Sequence, residues 1–469
     1  MTAERPIPDL AHDRLLEGLR DLLRIPSVNP PNPPGAELAA AHYLRDALAD
    51  SGIPAEIHEP LAGRGSVTAR LRGDGTGGPP LLLLSHLDVV PAPPERWTHD
   101  PFGAEIDEGW VYGRGAVDMK DLVAMELEVM RLLADETRAA GRDPASDPVP
   151  GLTRDLLFAS TADEEAGGLA GAGYLATQRP ETVTAAAAIS EAGGVSIWLG
   201  DRRIYPIQVA EKGYAVYRIT ISGMPGHASM PRPDNPVLRA AEAITRLGAP
   251  GPFRITPVMQ AFFDGVAAAV DDQRARILRA LADPADRGAR AEAVAGRLCL
   301  PTFGHVANAV VRDTISPTIV HAGVKYNVIP GEAVIEIDCR LLPGTTEADM
   351  AAELRRRLGP ELAEVSTVQL LISAGAVVAP TEGGLYSILA DAIRRADPDG
   401  VPLPMLAPFA TDAKHLEPLG VPTYGFSPLR QPADDPYIDR WHGVDERVSL
   451  EGLRWGLPVL YDAVRRFCG

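Results

Sequence analysis

The sequence is poor in the features that build a disulfide framework, a thiolate metal site or a membrane anchor. Only three of its 469 residues are cysteines, Cys299, Cys339 and Cys468, and none forms a Cys-x-x-Cys pair. So few cysteines, in an odd number, argue against structural disulfides and against a zinc site made of thiolates. No apolar run reaches the ~18 residues that span a bilayer, and residues 1–6 are polar, without an apolar signal core. These absences predict a soluble, cytoplasmic protein.

Positive charge and aromatic side chains are also scarce. The chain has 45 Lys and Arg against 63 Asp and Glu, a net charge of −18. Because this charge repels nucleic acid phosphates and anionic lipid surfaces, neither nucleic acid nor a membrane is an expected partner. Aromatic residues make up only 5% of the chain, whereas 45 glycines and 44 prolines predict many loops. The length favours two or more domains.

Motifs of nucleotide sites and of serine hydrolases are missing as well. The glycines between Gly167 and Gly173 do not follow the order Gly-x-Gly-x-x-Gly, and no Lys-Ser/Thr pair comes after them. There is no Gly-x-Ser-x-Gly elbow to carry a nucleophilic serine. Phosphate binding by a glycine-rich loop and serine catalysis are therefore not expected.

Buried strands and amphipathic helices alternate through the first two hundred residues. All-apolar runs at 81–84, 156–159 and 185–189 predict strands that are buried on both faces. Apolar residues at helical spacing predict helices at 37–49 and 120–133. This alternation predicts an α/β fold with a mostly parallel sheet and helices on both of its faces.

The pattern changes near residue 207. Alternating polar and apolar residues at 215–221 and 334–339 predict half-exposed strands, with helices at 236–247 and 346–358 and a further strand at 365–372. A stretch rich in Ala, Arg and Asp, 267–297, predicts added helices. We predict a discontinuous first domain, residues 1–207 and 375–469, with an α/β module inserted at 208–374.

Five residues of metal-ligand type stand in contexts that suit a ligand: His86, Asp118, Glu165, Glu191 and His442. Three of them follow predicted buried strands, and open α/β sheets bind ligands at the carboxyl ends of their strands. Two histidines with several carboxylates can hold two zinc-like cations. Such a site makes hydroxide from water near neutral pH.

Each motif taken alone also has an ordinary explanation. His86 and Asp88 point to the same side of a strand end and could simply satisfy each other. Asp118 alone reads as a helix N-cap, and the acidic run 163–165 reads as a solvated turn. Burying adjacent carboxylates is costly unless cations neutralise them, and adjacency lets one bind metal while its neighbour acts as a base. The combination therefore favours a metal site.

In their joint order these motifs resemble the di-zinc metallopeptidase and amidohydrolase family of aminoacylase, carboxypeptidase G, acetylornithine deacetylase, succinyl-diaminopimelate desuccinylase and carboxypeptidase S. The resemblance rests on Ser-His-x-Asp-Val-Val-Pro (85–91), Gly-Arg-Gly-Ala-x-Asp-Met-Lys (113–120), Asp-Glu-Glu (163–165) and Gly-His-Ala-Ser (226–229). It covers nearly the whole chain. Two zinc ions are the implied cofactors, and carboxylate-rich sites also accept cobalt or manganese.

The resemblance implies how the ligands divide between the two metals. His86 and Glu191 would hold one ion, Glu165 and His442 the other, and Asp118 would bridge them. The sequence departs from the family pattern beside Glu191, where Ser190 replaces the commoner acidic or amide residue and Ala192 the commoner glycine.

Further roles follow from the same resemblance. Asp88 would be the partner of His86, and Glu164 the general base. The inserted module corresponds to the lid of the family, often called the dimerisation domain. There His227 would stabilise the oxyanion, while Asn327 and Arg340 would contact substrate.

The resemblance leaves the shape of the substrate pocket and the oligomeric state open. Thr411 matches a pocket loop, although residues 408–412 lack the usual glycines. In dimeric members of the family the lid histidine reaches the neighbour's site, whereas an enlarged lid can replace that neighbour. Both a homodimer through the lid and a self-sufficient monomer stay open.

The implied reaction is hydrolysis of the amide bond of an N-acyl amino acid by a water that two metals activate, releasing a free amino acid and a carboxylate. The long lid and residues 424–428 look closest to the carboxypeptidase S and acyl-amino-acid hydrolase branch. A carboxypeptidase or dipeptidase acting on short peptides is the alternative. A relative that binds such molecules without cutting them, or a metal-free interaction scaffold, is the alternative from another class.

Overall fold

The computed structural model describes residues 7–29, 36–271, 275–276, 278–279, 301–433 and 435–469, with side chains of 301–305 excepted. The α-helices of this part of the chain are α1 (Asp9–Leu23), α2 (Glu37–Asp50), α3 (Lys120–Ala139), α4 (Ala172–Gln178), α5 (Pro236–Leu247), α6 (Pro257–Ala269), α7 (Pro301–Val310), α8 (Glu347–Glu364, interrupted at Gly359), α9 (Gly384–Ala396), α10 (Ala413–Leu416), α11 (Tyr437–Arg440) and α12 (Leu450–Cys468).

The strands of the same residues are β1 (Ala55–Leu61), β2 (Arg64–Leu71), β3 (Leu81–His86), β4 (Ile106–Asp107), β5 (Trp110–Tyr112), β6 (Leu156–Thr161), β7 (Ala187–Ser190), β8 (Ile197–Leu199), β9 (Arg202–Glu211), β10 (Gly213–Ser222), β11 (Gly226–His227), β12 (Thr314–Ala322), β13 (Val328–Ile329), β14 (Glu332–Leu341), β15 (Ser366–Ala374), β16 (Val377–Val378), β17 (Val401–Ala407), β18 (Thr423–Gly425) and β19 (Arg447–Ser449).

A large mixed sheet forms the centre of the fold. Its strand order is β1-β2-β6-β3-β7-β18-β9-β16, and β8 and β17 also pair with β9. The central strands β6, β3, β7 and β18 run parallel to one another, whereas β1, β2 and β16 pair antiparallel at the flanks. The predicted α/β class is confirmed, with parallel strands at the centre of the sheet.

Helices cover both faces of this sheet, because alternate side chains of its buried strands point to opposite sides. In β3, Leu81 and Leu83 pack into the core cluster that includes α1, α3 and α12. Leu82 and Leu84 pack into the opposite cluster, with Leu175 of α4. All residues of β3 and of β6 are buried, as their all-apolar sequences predict.

A second, four-stranded antiparallel sheet lies in the inserted segment, in the order β12-β14-β10-β15. Helices α5 and α8 pack on one of its faces, with Ile219, Ile335 and Leu354 fully buried between them. Helix α5 has the predicted bounds, and Asn235 caps it by accepting the N–H of Val237. We refer to this sheet with its two helices as the small layer.

Part of the inserted segment belongs to the large sheet instead. Helix α6 packs on β17 and β9, where Phe262 and Phe263 are buried together with Ile204 and Leu406. Strand β9 stays in the large sheet as far as Glu211, so the chain passes between the sheets at residue 212 rather than at the predicted 207. An apolar helix stripe predicts burial but does not say which sheet will cover it. The predicted helices at 267–297 fall almost entirely outside the described residues.

Among the helices that the structure describes, none combines the length and the apolar character needed to cross a membrane.

Candidate metal centre and active site

The predicted ligands converge at one edge of the large sheet. The parallel strands β3, β6 and β7 end there, which places His86 at a strand end, Glu165 in the short helix Glu164–Ala166, and Glu191 just after β7. Asp118 comes directly before α3, and His442 lies between α11 and β19. Neighbouring parallel strands share a carboxyl edge, so sequence positions more than a hundred residues apart meet here.

The five side chains form two groups of three that share Asp118. One group is His86, Asp118 and Glu191, the other Asp118, Glu165 and His442, and the ligand atoms of each lie within 4.8 Å of one another. The two carboxylate oxygens of Asp118 each lie 3.2 Å from a histidine Nε2, one from that of His86 and the other from that of His442. This arrangement suits a carboxylate that bridges two cations.

Nitrogen and oxygen donors in groups of three fit zinc, which leaves a coordination position for water or substrate in catalytic sites. The charges of the site also fit cations. Burial, opposed by His86 and assisted by the nearby carboxylates Asp118 and Glu165, raises the pKa of Glu191 to about 7. Bound cations would reverse this penalty, because they favour the ionised form of each carboxylate.

Asp88 supports the neighbouring acidic turn more than it supports His86. The Nδ1 of His86 lies 3.0 Å from the backbone oxygen of Asp88 and 3.6 Å from its carboxylate. That carboxylate accepts the backbone N–H groups of Glu164 and Glu165 at 3.1 and 3.0 Å, and an N–H of Asn29 at 2.6 Å. Asp88 therefore fixes the ligand Glu165 and its neighbour through their main chain.

A buried ion pair, which sequence patterns do not reveal, holds the loop that carries Asp118. Glu446 is fully buried, pairs with Arg114, and accepts the backbone N–H groups of Val117 and Asp118. Gly115 in the same loop has φ +89°, and a Cβ there would lie 2.8 Å from the side chain of Val89, so only glycine fits. Asp118 does not cap α3, whose N-cap is Met119 without a side-chain bond.

Three non-glycine residues at or near the predicted ligands have left-handed backbone conformations. They are Asp163 (φ 72°), Ala192 (φ 72°) and His442 (φ 57°). Such conformations are costly for residues with a Cβ and cluster at functional sites. The value at Ala192 explains why glycine is the commoner residue after the glutamate ligand.

Glu164 faces a buried lysine that the sequence alone does not single out. The Nζ of Lys414 lies 3.6 Å from Oε1 of Glu164 and 3.9 Å from Asp412, and its side chain is only 6% exposed. Burial raises the pKa of Glu164 well above its ordinary value, the charge of Glu191 raises it further, and Lys414 acts in the opposite direction. A carboxyl group with a raised pKa suits proton transfer near neutral pH.

A cavity of about 560 Å³ opens over these groups, and both sheets line it. From the large sheet it takes four of the five ligand residues, together with Glu164 and Lys414; from the small layer it takes Tyr214, Val216, Asp338, Arg340 and Ile372. The Nε and Nη2 of Arg340 donate to Asp338 at 2.8 and 3.1 Å, which leaves Nη1 on the other side of the guanidinium. Thr411 also lines the cavity, but its hydroxyl donates to buried Glu211.

The structure does not place two of the predicted lid residues in this cavity. His227 is exposed on the two-stranded ladder β11·β13, where its Nδ1 accepts the backbone N–H of Ser229. Asn327 lies beside it and accepts the N–H of Ala228 with its backbone oxygen. The two residues are neighbours on this ladder, but neither lines the cavity among the described residues.

A mixed sheet with two triads of candidate metal ligands at its carboxyl edge, and a carboxyl group beside them, is an arrangement typical of metal-dependent hydrolases. Residues 82–466 match the model of peptidase family M20/M25/M40, and the chain belongs to this family. Its members are metallohydrolases that act on amide or peptide bonds, so the resemblance drawn from the motifs is confirmed.

Individual relatives extend the match over nearly the full length. The chain is 27% identical over 459 residues to the N-fatty-acyl-amino acid synthase/hydrolase PM20D1 of Xenopus tropicalis, covering 94% of this chain and 83% of the relative. It is 27% identical to the probable carboxypeptidase S-like 2 of Dictyostelium discoideum, over 82% of this chain and 71% of that one. The fold is similar to the metallo-carboxypeptidase Sso-CP2 of Sulfolobus solfataricus, with a TM-score of 0.68, 16% identity and coverage of 97% and 99%.

Proposed function

We propose that the protein hydrolyses the amide bond of N-acyl amino acids and releases a free amino acid and a carboxylate, using two zinc ions. The observation that carries this proposal is one cavity that joins both triads, Glu164 and the guanidinium of Arg340. The relative whose name describes an N-fatty-acyl-amino acid hydrolase supports the acyl amino acid as substrate class.

Zinc ions bound by the two triads would lower the pKa of a shared water to about 7 and polarise the substrate carbonyl. Glu164, whose backbone N–H donates to the carboxylate of Asp88, takes a proton from the water as the water oxygen bonds to the carbonyl carbon. The same carboxyl group then gives this proton to the nitrogen as the C–N bond breaks. One group thus serves as base and then as acid, and no net proton leaves the site in these steps.

Arg340 is the group best suited to the carboxylate of the amino acid product. Its side chain is one-third exposed and lines the cavity, and Asp338 occupies only one side of the guanidinium. A planar guanidinium binds carboxylates with two parallel hydrogen bonds. A free carboxylate next to the scissile amide is common to N-acyl amino acids and to peptides cut at their C-terminal end.

A carboxypeptidase or dipeptidase is therefore the second candidate, and the relatives named as carboxypeptidases favour it. A panel of N-acetyl-methionine, N-dodecanoyl-leucine and the dipeptides Ala-Leu and Leu-Ala, assayed with the zinc-loaded protein, separates the two. We expect kcat/KM for at least one N-acyl amino acid to exceed that for both dipeptides. Cleavage of dipeptides alone would replace our proposal by the second candidate, and no cleavage with two metals bound would favour a binding protein.

The position of His227 leads us to propose a homodimer in which each small layer completes the site of the other copy. Exposed apolar residues come just before β13, the strand that pairs with the one carrying His227, with Val324 99% and Tyr326 94% exposed. In a two-fold dimer, a 1:1 mixture of inactive His227→Ala and Glu164→Gln chains forms heterodimers with one intact site, so about a quarter of wild-type activity should return. Absence of any recovery in a re-equilibrated mixture would mean that His227 acts within its own chain or not at all.

Cobalt and manganese remain alternatives to zinc, because the donor set accepts them too. A cytoplasmic location stays a prediction from the sequence, as does the absence of nucleic acid and membrane partners.

A further inference from the structure

One side of the cavity is built from aromatic rings. Phe409 and Trp441 meet edge to face with their centroids 5.5 Å apart, and Tyr437 meets Trp441 in the same way at 5.8 Å. All three line the cavity, Tyr437 is only 6% exposed, and Phe409 and Trp441 are half-buried. We call these three residues the aromatic wall. The wall stands out because aromatic residues make up only 5% of the chain.

The aromatic wall adjoins the metal centre on the side of His442. Trp441 is the residue directly before this ligand, and the Nε2 of His442 lies 3.2 Å from Glu165. Val117 and Ala192, which follow or precede other ligands closely in sequence, add further apolar lining. An apolar group that packs against the wall would therefore lie next to a substrate carbonyl bound at the metal centre.

The same cavity is also lined by polar groups, among them Arg340, Tyr214 and Lys414. The guanidinium of Arg340 is 5.6 Å from the ring centroid of Tyr214, and the Nζ of Lys414 lies 3.6 Å from Oε1 of Glu164. These polar groups and the aromatic wall line one cavity. A substrate with a carboxylate at one end and an apolar group across its amide bond matches a cavity that offers both a guanidinium and apolar rings.

We propose that the aromatic wall is the acyl-binding subsite and that the natural acyl group is a long aliphatic chain. The proposal rests on the proposed function, because it places the amide bond of an N-acyl amino acid between the wall and Arg340. An aliphatic chain can pack against the faces and edges of these rings, which carry most of the apolar surface of the wall. Each methylene group buried there should strengthen binding about fourfold, whereas a short acetyl group would leave the wall in water.

The test compares N-acetyl-, N-hexanoyl- and N-dodecanoyl-leucine with the zinc-loaded wild type, Phe409→Ala and Phe409→Leu. We expect wild-type kcat/KM to rise with chain length, and the dodecanoyl-to-acetyl ratio to fall at least tenfold in Phe409→Ala and less in Phe409→Leu. The matched control is Phe467→Ala, which removes another half-buried phenylalanine, on α12 and outside the cavity. This control should keep the wild-type ratio. Metal content of each variant shows that the centre is intact.

Product binding gives a second measurement that does not depend on turnover. In calorimetric titrations, we expect dodecanoate to bind the zinc-loaded wild type at least tenfold more tightly than acetate, with this preference reduced in Phe409→Ala and kept in Phe467→Ala. Equal affinity of wild type for both carboxylates, or a preference that Phe409→Ala leaves intact, would overturn the subsite. If the wild type cleaves only dipeptides but shows the Phe409-dependent preference, the proposed function fails while the apolar subsite stands.

Discussion

Replacing Glu164 by glutamine is expected to lower kcat by a factor of about 10² to 10⁴ while two metals stay bound. The amide of glutamine has nearly the shape of the carboxylate but cannot take a proton from the attacking water. The backbone bond of residue 164 to Asp88 is made by its N–H and is not altered by the substitution. Steady-state kinetics with the best substrate of the panel, together with metal analysis of the same sample, measures both quantities.

A matched control for this substitution is Glu181→Gln, which changes an exposed glutamate in a surface ion pair with Arg179. It should leave kcat unchanged, because exposed ion pairs contribute little. A Glu164→Gln protein with near-normal kcat and two bound metals would contradict the assignment of Glu164 as the base.

Two substitutions of Lys414 complement the Glu164→Gln experiment. Its ammonium lies beside Glu164 and also donates to the backbone oxygen of Thr411, so it holds the base and the pocket loop together. Lys414→Met should lower kcat by less than Glu164→Gln does, and Lys414→Arg should recover part of that loss because it keeps the charge. Equal kcat in Met and Arg variants would assign Lys414 a purely structural role.

Replacing Asp118 by alanine is expected to lower the metal content from two ions per chain to less than one, and to abolish turnover. Asp118 is the one residue common to both ligand triads of the described residues. Its removal leaves each triad with two side chains, fewer than the three protein ligands usual in catalytic zinc sites. Metal analysis after dialysis against zinc-buffered solution measures the loss.

The same variant should also lose most of the stabilisation that zinc gives. A ligand that binds only the folded protein adds about 2.7 kcal/mol at a concentration of one hundred times its dissociation constant. Wild-type protein should therefore melt several degrees higher with zinc than after chelation, and Asp118→Ala should show little difference. Asp107→Ala, at an exposed aspartate of β4, is the control. A full zinc-dependent shift in Asp118→Ala would exclude a bridging role.

The parts of the site that sequence predicts are those with local signals. The ligands His86, Glu165 and Glu191 follow apolar strands, and the shared carboxyl edge of parallel strands brings them together. The aromatic wall and Lys414 carry no such signal, since single Phe, Trp, Tyr and Lys residues are ordinary in any sequence. Their role depends on neighbours far along the chain, such as Glu164 for Lys414, 250 positions away.

The fold shows the same limit. Strands β3, β6 and β7 of the large sheet and β10, β14 and β15 of the small layer are predicted from their apolar runs or their alternation, because these patterns follow from burial on two faces or on one. The other strands of the two sheets are not predicted. The sheet on which α6 packs is not predicted by the sequence, since Phe262 and Phe263 indicate only that one face of the helix is buried. The buried pair of Arg114 and Glu446 joins residues 332 positions apart, beyond the reach of any spacing rule.

The docking of α6 on strand β17 has a consequence for protein engineering. Excising residues 208–374 as a cassette would remove this helix and leave Leu403 and Leu406 of a sheet margin facing water, a surface that invites aggregation. Grafting only residues 213–374, from β10 to β15, onto another hydrolase would likewise separate α6 from the strands on which it packs. Chimeras that exchange specificity between such enzymes therefore need junctions that keep 257–269 with its host sheet.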